Sequence, residues 1–337
     1  MEPLLARSVR LEDDGVHILD RRNFPFDRTW VRCGTVAEVA KAIEDMVTQS
    51  SGPYFAALWG MVLAAREARG LPRDEARAHL DQAGRLLIAT RRTNNHLRKA
   101  VAAVLAGVDE HGVDDDVEVG ALKGAKAGDE RYRTRSRKLG EHTAKLLPDE
   151  GAVLTHCWAD LYLTETVVAA QGMGKRLRFV CTETRPYLQG ARLTAETLGE
   201  MGVDTTLITD GMGAAVMSTG DVDVLLTAAD RVTMDGHVVN KVGTLGLAVA
   251  AHAFDVPFLA MVQAPDRLAP TAADVPIEYR PGDDVLHTLG RRTATERARG
   301  LYPAFDVTPP RFVTKVVTDR GAYAPHDLAD YYVEERP

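Results

Sequence analysis

AVLTHCWADLYLTETVVAAQGMGKRLRFVCTET (residues 152–184) decides the fold. A short apolar, β-branched run leads to His156 and Cys157, a helical stretch covers Leu161 to Gly172, and a second apolar run closes the segment. Short runs bounded by turn-formers are strands, and the longer amphipathic stretch between them is a helix. The rhythm continues downstream. DTTLITDG (204–211), DVLLTAAD (223–230) and VPFLAMVQ (256–263) are further strands, with helices expected over Gln189 to Met201, near Ala214 and over Thr244 to Phe254. Strands alternating with helices imply a parallel sheet with right-handed crossovers. Such a sheet is covered on both faces, which explains strands that are apolar nearly throughout. The fold class is α/β, with a Rossmann-like parallel-sheet C-terminal domain.

Upstream the pattern is helical. Val36 to Met46, Tyr54 to Ala68, Asp74 to Thr90 and Leu97 to Leu105 keep apolar residues at helical spacing, while GVHILDRRN (15–23) alternates like a short strand or hairpin. Asp109 to Arg137 carries Gly, Asp, Lys and Arg with few large apolar residues, and reads as a loop or hinge leading into a helix. The domain boundary is placed there, giving a smaller, mostly helical N-terminal domain over 1–120 and a Rossmann-like catalytic domain over 121–337.

Composition sets outer limits. A chain of 337 residues with 45% hydrophobic and 26% charged residues is an ordinary globular protein, long enough for two domains. Its net charge of −7 offers no electrostatic footprint for nucleic acid or an anionic membrane. No apolar run has the length of a membrane span and the N-terminus lacks a signal-peptide profile, so the expected location is cytoplasmic. Cys33, Cys157 and Cys181 are too few and too scattered for a disulfide framework or a zinc site.

Ligands of open parallel sheets bind beyond the carboxyl ends of the strands. That edge receives His156 and Cys157 from the first strand, Glu183, Thr184 and Arg185 from the second, Asp210 from the third, and Asp230 and Arg231 from the fourth. A plain alternative stands beside each: cysteine is among the most buried residue types, and an Asp at a strand end often caps the next helix. After Asp230, DGHVVNKVGT (235–244) places Asn240 and Lys241 just before a helix, where backbone N–H groups and the helix dipole favour a phosphate. A solvated lysine in a turn is the alternative. Neither GxxxxGK[ST] nor a GxGxxG after a strand occurs, so no nucleotide fingerprint is present.

At these residues the chain resembles the methylthioribose-1-phosphate isomerase family, which shares its fold with ribose-1,5-bisphosphate isomerases and the regulatory subunits of translation initiation factor 2B. The motifs that carry the likeness are LTHC (154–157), TETRPYLQGARLTA (182–195), LITDGMGAAVM (207–217), AADRVTMDGHVVNKVGT (228–244) and PAFDVTPP (303–310). The likeness runs in order from LEDDGVHILDRRNFP (11–25) to VTDRGAY (317–323). It implies an aldose–ketose isomerase with Cys157 and Asp230 catalytic, and with Arg91, Gln189, Asn240 and Lys241 holding sugar and phosphate. Ser51 and Gly52, in the loop that stands at the family's phosphate loop, join that binding set. The resemblance further implies a homodimer acting on a small-molecule sugar phosphate, with no metal and no organic cofactor.

The chain also departs from the family near these residues. The family's VRGAP loop reads TQSSGP (48–53), so its arginine has become Gln49 or Ser50; RPTAVNL reads RRTNNHL (91–97), bringing in Asn94, Asn95 and His96. Trp158, Ala159 and Asp160 follow Cys157 in place of small residues, Tyr302 replaces Asn in NPAFD, and Ala228 replaces Gly in GADR. Losing a guanidinium removes a bidentate phosphate clamp that Gln or Ser cannot replace by charge. Changes so grouped point to an altered substrate, leaving the 5-substituent and the number of phosphates open.

The chemistry sets requirements. An aldose 1-phosphate has no free aldehyde, so the ring opens only by cleavage between C1 and the ring oxygen, which needs a proton donor. Asp230 is expected to be that acid, with a pKa raised by an apolar wall to which Trp158, Tyr302 and Tyr54 contribute and with Arg231 turned away. Cys157 is expected to aid hydrogen transfer from C2 to C1, through an enolate or beside a hydride shift. The alternative is a non-catalytic sugar-phosphate or nucleotide-binding regulatory protein.

Overall fold

The computed structural model describes residues 3–91, 95–111 and 117–335. It divides into two compact units, Pro3–Thr134 and the chain from Arg135 onward.

In the N-terminal unit, β1 (Val9–Glu12), β2 (Gly15–Leu19) and β3 (Trp30–Cys33) form an antiparallel sheet, registered by Ile18 opposite both Val9 and Val31. The first helix, α1 (Val36–Glu44), opens on a capping box: Thr35 accepts the N–H of Glu38, and Glu38 reaches back to the Thr35 N–H. Pro53 in the first turn of α2 (Gly52–Glu67) needs no donor there, and α2 is buried along most of its length. α3 (Arg73–Ala89) and α4 (His96–His111) complete the helices read from the sequence.

In the segment expected as a loop or hinge leading into a helix, the helix takes the larger part. α5 runs from Val117 to Leu146, and the division between the units falls inside it. Its Lys, Arg, Glu and Ala are good helix formers, and glycine contacts replace the missing apolar ones. A Cβ on Gly107 of α4 would come within 2.6 Å of the Gly120 carbonyl oxygen and Gly124 Cα of α5, so the two helices meet backbone to backbone.

The C-terminal unit holds a seven-stranded sheet. β4 (Glu150–Thr155), β5 (Arg176–Thr182) and β6 (Asp204–Ile208) step outward in one direction; β7 (Val224–Ala228) then pairs with β4 on its other side. β8 (Arg231–Val232) and β9 (Val238–Lys241) leave the sheet, and β10 (Phe258–Met261) returns beside β7. Two small pairs follow: β11 (Tyr279–Arg280) with β14 (Tyr302–Pro303), and β12 (His287–Thr288) with β13 (Arg291–Arg292). β15 (Phe305–Thr308) lies antiparallel to β9, and β16 (Lys315–Val317) and the antiparallel β17 (Ala322–Tyr323) close the large sheet as β17-β16-β10-β7-β4-β5-β6.

The strand order therefore reverses between the parallel neighbours β4 and β7, where Thr155 pairs with Leu226. A crevice forms at such a reversal, beyond the carboxyl ends of the two strands. Leu154, Val180, Leu225, Phe258 and Ala260 pack the sheet, with Leu247, Ala248 and Ala251 of α9 (Thr244–Ala253). The other helices are α6 (Leu161–Gly172), α7 (Ala195–Glu200) and α8 (Gly213–Ser218). No described helix is long and apolar enough to cross a membrane.

Candidate active site

The two residues beyond the reversing strands are Cys157, after β4, and Asp230, after β7. Cys157 is partly buried and sits at φ 67°, a left-handed conformation rare for a residue with a side chain. Its N–H donates to Thr184 Oγ1 at 3.0 Å, and its carbonyl accepts from Thr194 Oγ1 at 2.5 Å.

Beside it, His156 is a structural staple. Its Nε2 lies 2.9 Å from the Val242 carbonyl oxygen, which only accepts, so Nε2 carries the proton and Nδ1 accepts from Thr182 Oγ1 at 2.6 Å. Burial lowers its pKa and keeps the ring neutral. Gly243, at φ 109°, permits this close turn, since a Cβ there would stand 2.9 Å from the imidazole.

Asp230 is tied to β9 by its N–H, which donates to the Val239 carbonyl at 2.9 Å. Two residues on, Lys241 is buried, with its ammonium 4.5 Å from the ring centroid of its cross-strand partner Phe305. Burial pushes the Cys157 thiol up to about 11, while Lys241 and Arg280 pull the other way and Asp230 adds to the rise. Burial likewise lowers the Lys241 pKa, with Cys157 and Asp230 favouring its charge and Arg280 opposing it. The structure thus brings Cys157, Asp230 and Lys241 into one electrostatic group.

Arg280 and Tyr302 belong to that group; Tyr302 was expected in the wall around Asp230, and Arg280 was not expected. They are cross-strand partners on β11 and β14; the guanidinium carbon is 5.9 Å from the Tyr302 ring centroid, and Nε donates to Glu278 at 2.9 Å. Burial raises the Tyr302 pKa. Two-residue strands carry no periodicity, so only the Asn-to-Tyr change beside PAFD marked this corner.

One expectation changes. The helix start after Lys241 was expected to offer amides to a phosphate. Instead the Asp306 carboxylate accepts from Gly243 N at 2.7 Å and from Leu245 N at 3.1 Å, so the Asp of PAFD already supplies the anion. Asn240 is buried and donates from its amide nitrogen to Thr244 Oγ1 at 3.0 Å, bracing the same turn. Gln189 is buried at the start of a single π-helical turn, Gly190–Thr194. Arg231 is directed to Asp266, its Nε 2.7 Å from Oδ2. Trp158 is buried next to Cys157 in the chain.

In the N-terminal unit, Arg91 donates from Nη2 to the Ile43 carbonyl at 3.0 Å, a cation at the C-terminal end of α1. Ser51 and Gly52 are buried at the start of α2. The guanidinium of their loop is that of Arg21, almost fully buried and donating to the Gln49 carbonyl at 2.6 Å and to Ser8 Oγ at 2.5 Å. Sequence reading passed over Arg21 because it lies outside the loop it supports. Tyr54 packs with Phe55, Tyr132 and His96 and donates to the Gly128 carbonyl at 2.9 Å. Asn94 lies outside the described residues.

Residues 50–325 match the model of the initiation factor 2 subunit family. The chain belongs to that family. It is 35% identical to the methylthioribose-1-phosphate isomerase of Koribacter versatilis (strain Ellin345), covering 97% of this chain and 96% of that protein. The corresponding enzyme of Anaeromyxobacter sp. (strain K) is 37% identical, with 96% of each chain covered. Among solved structures, 5-methylthioribose 1-phosphate isomerase from Pyrococcus horikoshii OT3 superposes with a TM-score of 0.87 at 30% identity, covering 100% of this chain and 99% of that one. Translation initiation factor eIF-2B, subunit delta, from A. fulgidus gives 0.82 at 34% identity over 95% and 96% of the two chains. Within the initiation factor 2 subunit family, this chain is an isomerase.

Proposed function

We propose that this isomerase converts a 5-substituted ribose 1-phosphate, methylthioribose 1-phosphate or a related 5-deoxyribose 1-phosphate, into the ribulose 1-phosphate. One observation carries the reading: Cys157 and Asp230 follow the two strands that flank the reversal of the sheet, with the buried Lys241 acting on both. Asp230 protonates the ring oxygen as the C1–O bond breaks. Hydrogen then moves from C2 to C1, and the C2 hydroxyl returns its proton to the Asp230 carboxylate, which closes the proton cycle. A thiol held up to about 11 is neutral at pH 7, which supports the hydride route with Cys157 lining the reacting carbons over a thiolate base. Lys241 faces the phosphate as a cation, with Gln189 and Asn240 shaping the sugar site. Arg91, Ser51 and Gly52 are the phosphate contacts that the resemblance implies in the N-terminal unit.

The test is incubation with a panel of 5-substituted ribose 1-phosphates followed by ketose detection. Turnover of at least one supports the reading; ligand binding without turnover of any would favour a regulatory protein. The likeness to the A. fulgidus protein gives that second reading its place, and the presence of both Cys157 and Asp230 speaks against it. The homodimer implied by the resemblance is tested by sedimentation.

A further inference from the structure

The backbone of Cys157 is held from both sides by threonine hydroxyls of one segment. Thr184 Oγ1 accepts its N–H at 3.0 Å, and Thr194 Oγ1 donates to its carbonyl at 2.5 Å. Thr184 is itself left-handed, at φ 62°, where a β-branched side chain is an outlier. Its position is fixed from the next strand: the Asp210 carboxylate accepts the N–H of Thr184 at 2.7 Å and that of Arg185 at 2.6 Å, and the Ile208 carbonyl accepts that of Glu183 at 2.9 Å. The packing leaves no slack, because a Cβ on Gly190 would fall 1.7 Å from the Thr182 carbonyl oxygen and 2.9 Å from Thr184 Oγ1. Two adjacent left-handed residues bonded to each other are costly to the fold, and strain of this kind persists where the surroundings over-determine it. A glycine at 184 would relieve the backbone at once, yet it would remove the hydroxyl.

We propose that Thr184 is a positioning residue for catalysis, its hydroxyl holding Cys157 in the left-handed conformation that aims the thiol at the reacting carbons. The inference rests on the reading of Cys157 as a catalytic residue. Asp210 acts one step further back, by holding Thr184.

The test compares Thr184→Gly and Thr184→Ser with the parent for kcat, KM and melting temperature. Thr184→Gly relaxes a positive φ but empties a fully buried position and leaves the Cys157 N–H without its acceptor, so a lower melting temperature is expected. Among folded molecules it is expected to lose about tenfold to a hundredfold in kcat with KM little changed, the scale of a small misplacement of a reacting group. Thr184→Ser, which keeps the hydroxyl, is expected to recover most of that loss. A residue that served only the fold would lower activity through the folded fraction alone and leave kcat per folded molecule unchanged. In a Cys157→Ser background, Thr184→Gly is expected to cause no further loss, because residues acting as a unit are not additive. Parent-like kcat in Thr184→Gly, or a full additional loss in the double variant, would overturn the proposal. Parent-like turnover by Cys157→Ser alone would instead remove the reading of Cys157 on which it rests.

Discussion

The Asp306 carboxylate accepts the backbone N–H of Gly243 at 2.7 Å, and this bond turns the start of α9 from a phosphate cradle into a self-capped helix. In the proposed reaction, recognition of phosphate in the C-terminal unit then rests on side-chain cations, Lys241 first among them.

Burial of the same carboxyl sets a pH dependence. Burial holds the Asp306 carboxyl at about 6, against an ordinary value of 3.8, although the two amides and Lys241 pull it down. Between those values the folded protein binds a proton that the unfolded chain has released. Stability therefore falls as pH rises from about 4 to about 6, by at most about 1.4 kcal/mol per pH unit, and levels off above. Asp306→Asn, which cannot ionise, should lack this component. Thermal melts of both proteins between pH 4 and 7 check it, and identical slopes would sink the assignment.

A neutral thiol has a measurable signature. With the Cys157 pKa at about 11, alkylation of this residue by iodoacetamide, followed by peptide mass, should still be accelerating at about pH 10. Lys241 stabilises the thiolate, so Lys241→Met should push the titration higher and slow labelling further at any fixed pH. A labelling rate that is flat from pH 8 upward would show a thiolate already formed.

Isotope transfer separates the two routes for hydrogen. If hydride passes directly from C2 to C1, product formed in deuterium oxide should carry almost no deuterium at C1 after a single conversion. Extensive incorporation would instead demand a proton held by an exchangeable base, and would restore Cys157 to that role.

Much of this architecture was legible because the strand and helix periods differ so clearly after residue 150. The runs that end in Cys157 and Asp230 are apolar enough to be buried strands, and burial in a parallel sheet fixes which end carries the chemistry. The strand order was not legible, since pairing of β7 with β4 is a long-range choice that local pattern does not encode. The helix expected after a loop or hinge in 109–137 begins already at Val117, hidden because α5 meets α4 through Gly107, Gly120 and Gly124 and buries small residues such as Ala121 and Ala125. Arg280, Asp306 and Thr184 act through contacts distant in sequence, and only the fold displays them.

Tyr302 offers a handle on specificity. It is buried against Arg280 and acts on Cys157, where the family carries Asn. In the proposed site, a ring in place of an amide removes space and a hydrogen-bonding pair beside the substrate. Tyr302→Asn is expected to keep the fold and to change the ranking of 5-substituted ribose 1-phosphates by kcat/KM at least about tenfold, within the range of one altered pocket contact. An unchanged ranking would place Tyr302 outside the substrate site.

Asp230 carries the heaviest chemical burden in the proposed reaction, because no isomerisation can begin until the ring oxygen is protonated. Its backbone is fixed by the bond to Val239, and the neighbouring Arg231 is committed to Asp266. Substitution at 230 should therefore disturb the acid and leave its frame in place. Asp230→Asn keeps shape and hydrogen-bonding capacity, so a sugar phosphate should still raise the melting temperature by mass action. Turnover should fall by at least about a hundredfold, the lower range for a lost acid–base group, because an amide cannot release a proton to the departing oxygen. Cys157→Ser should also lose turnover while still binding. An Asp230→Asn variant that turned over at close to the parent rate would leave Asp230 as a structural residue at the end of β7, and ring opening would then need another donor.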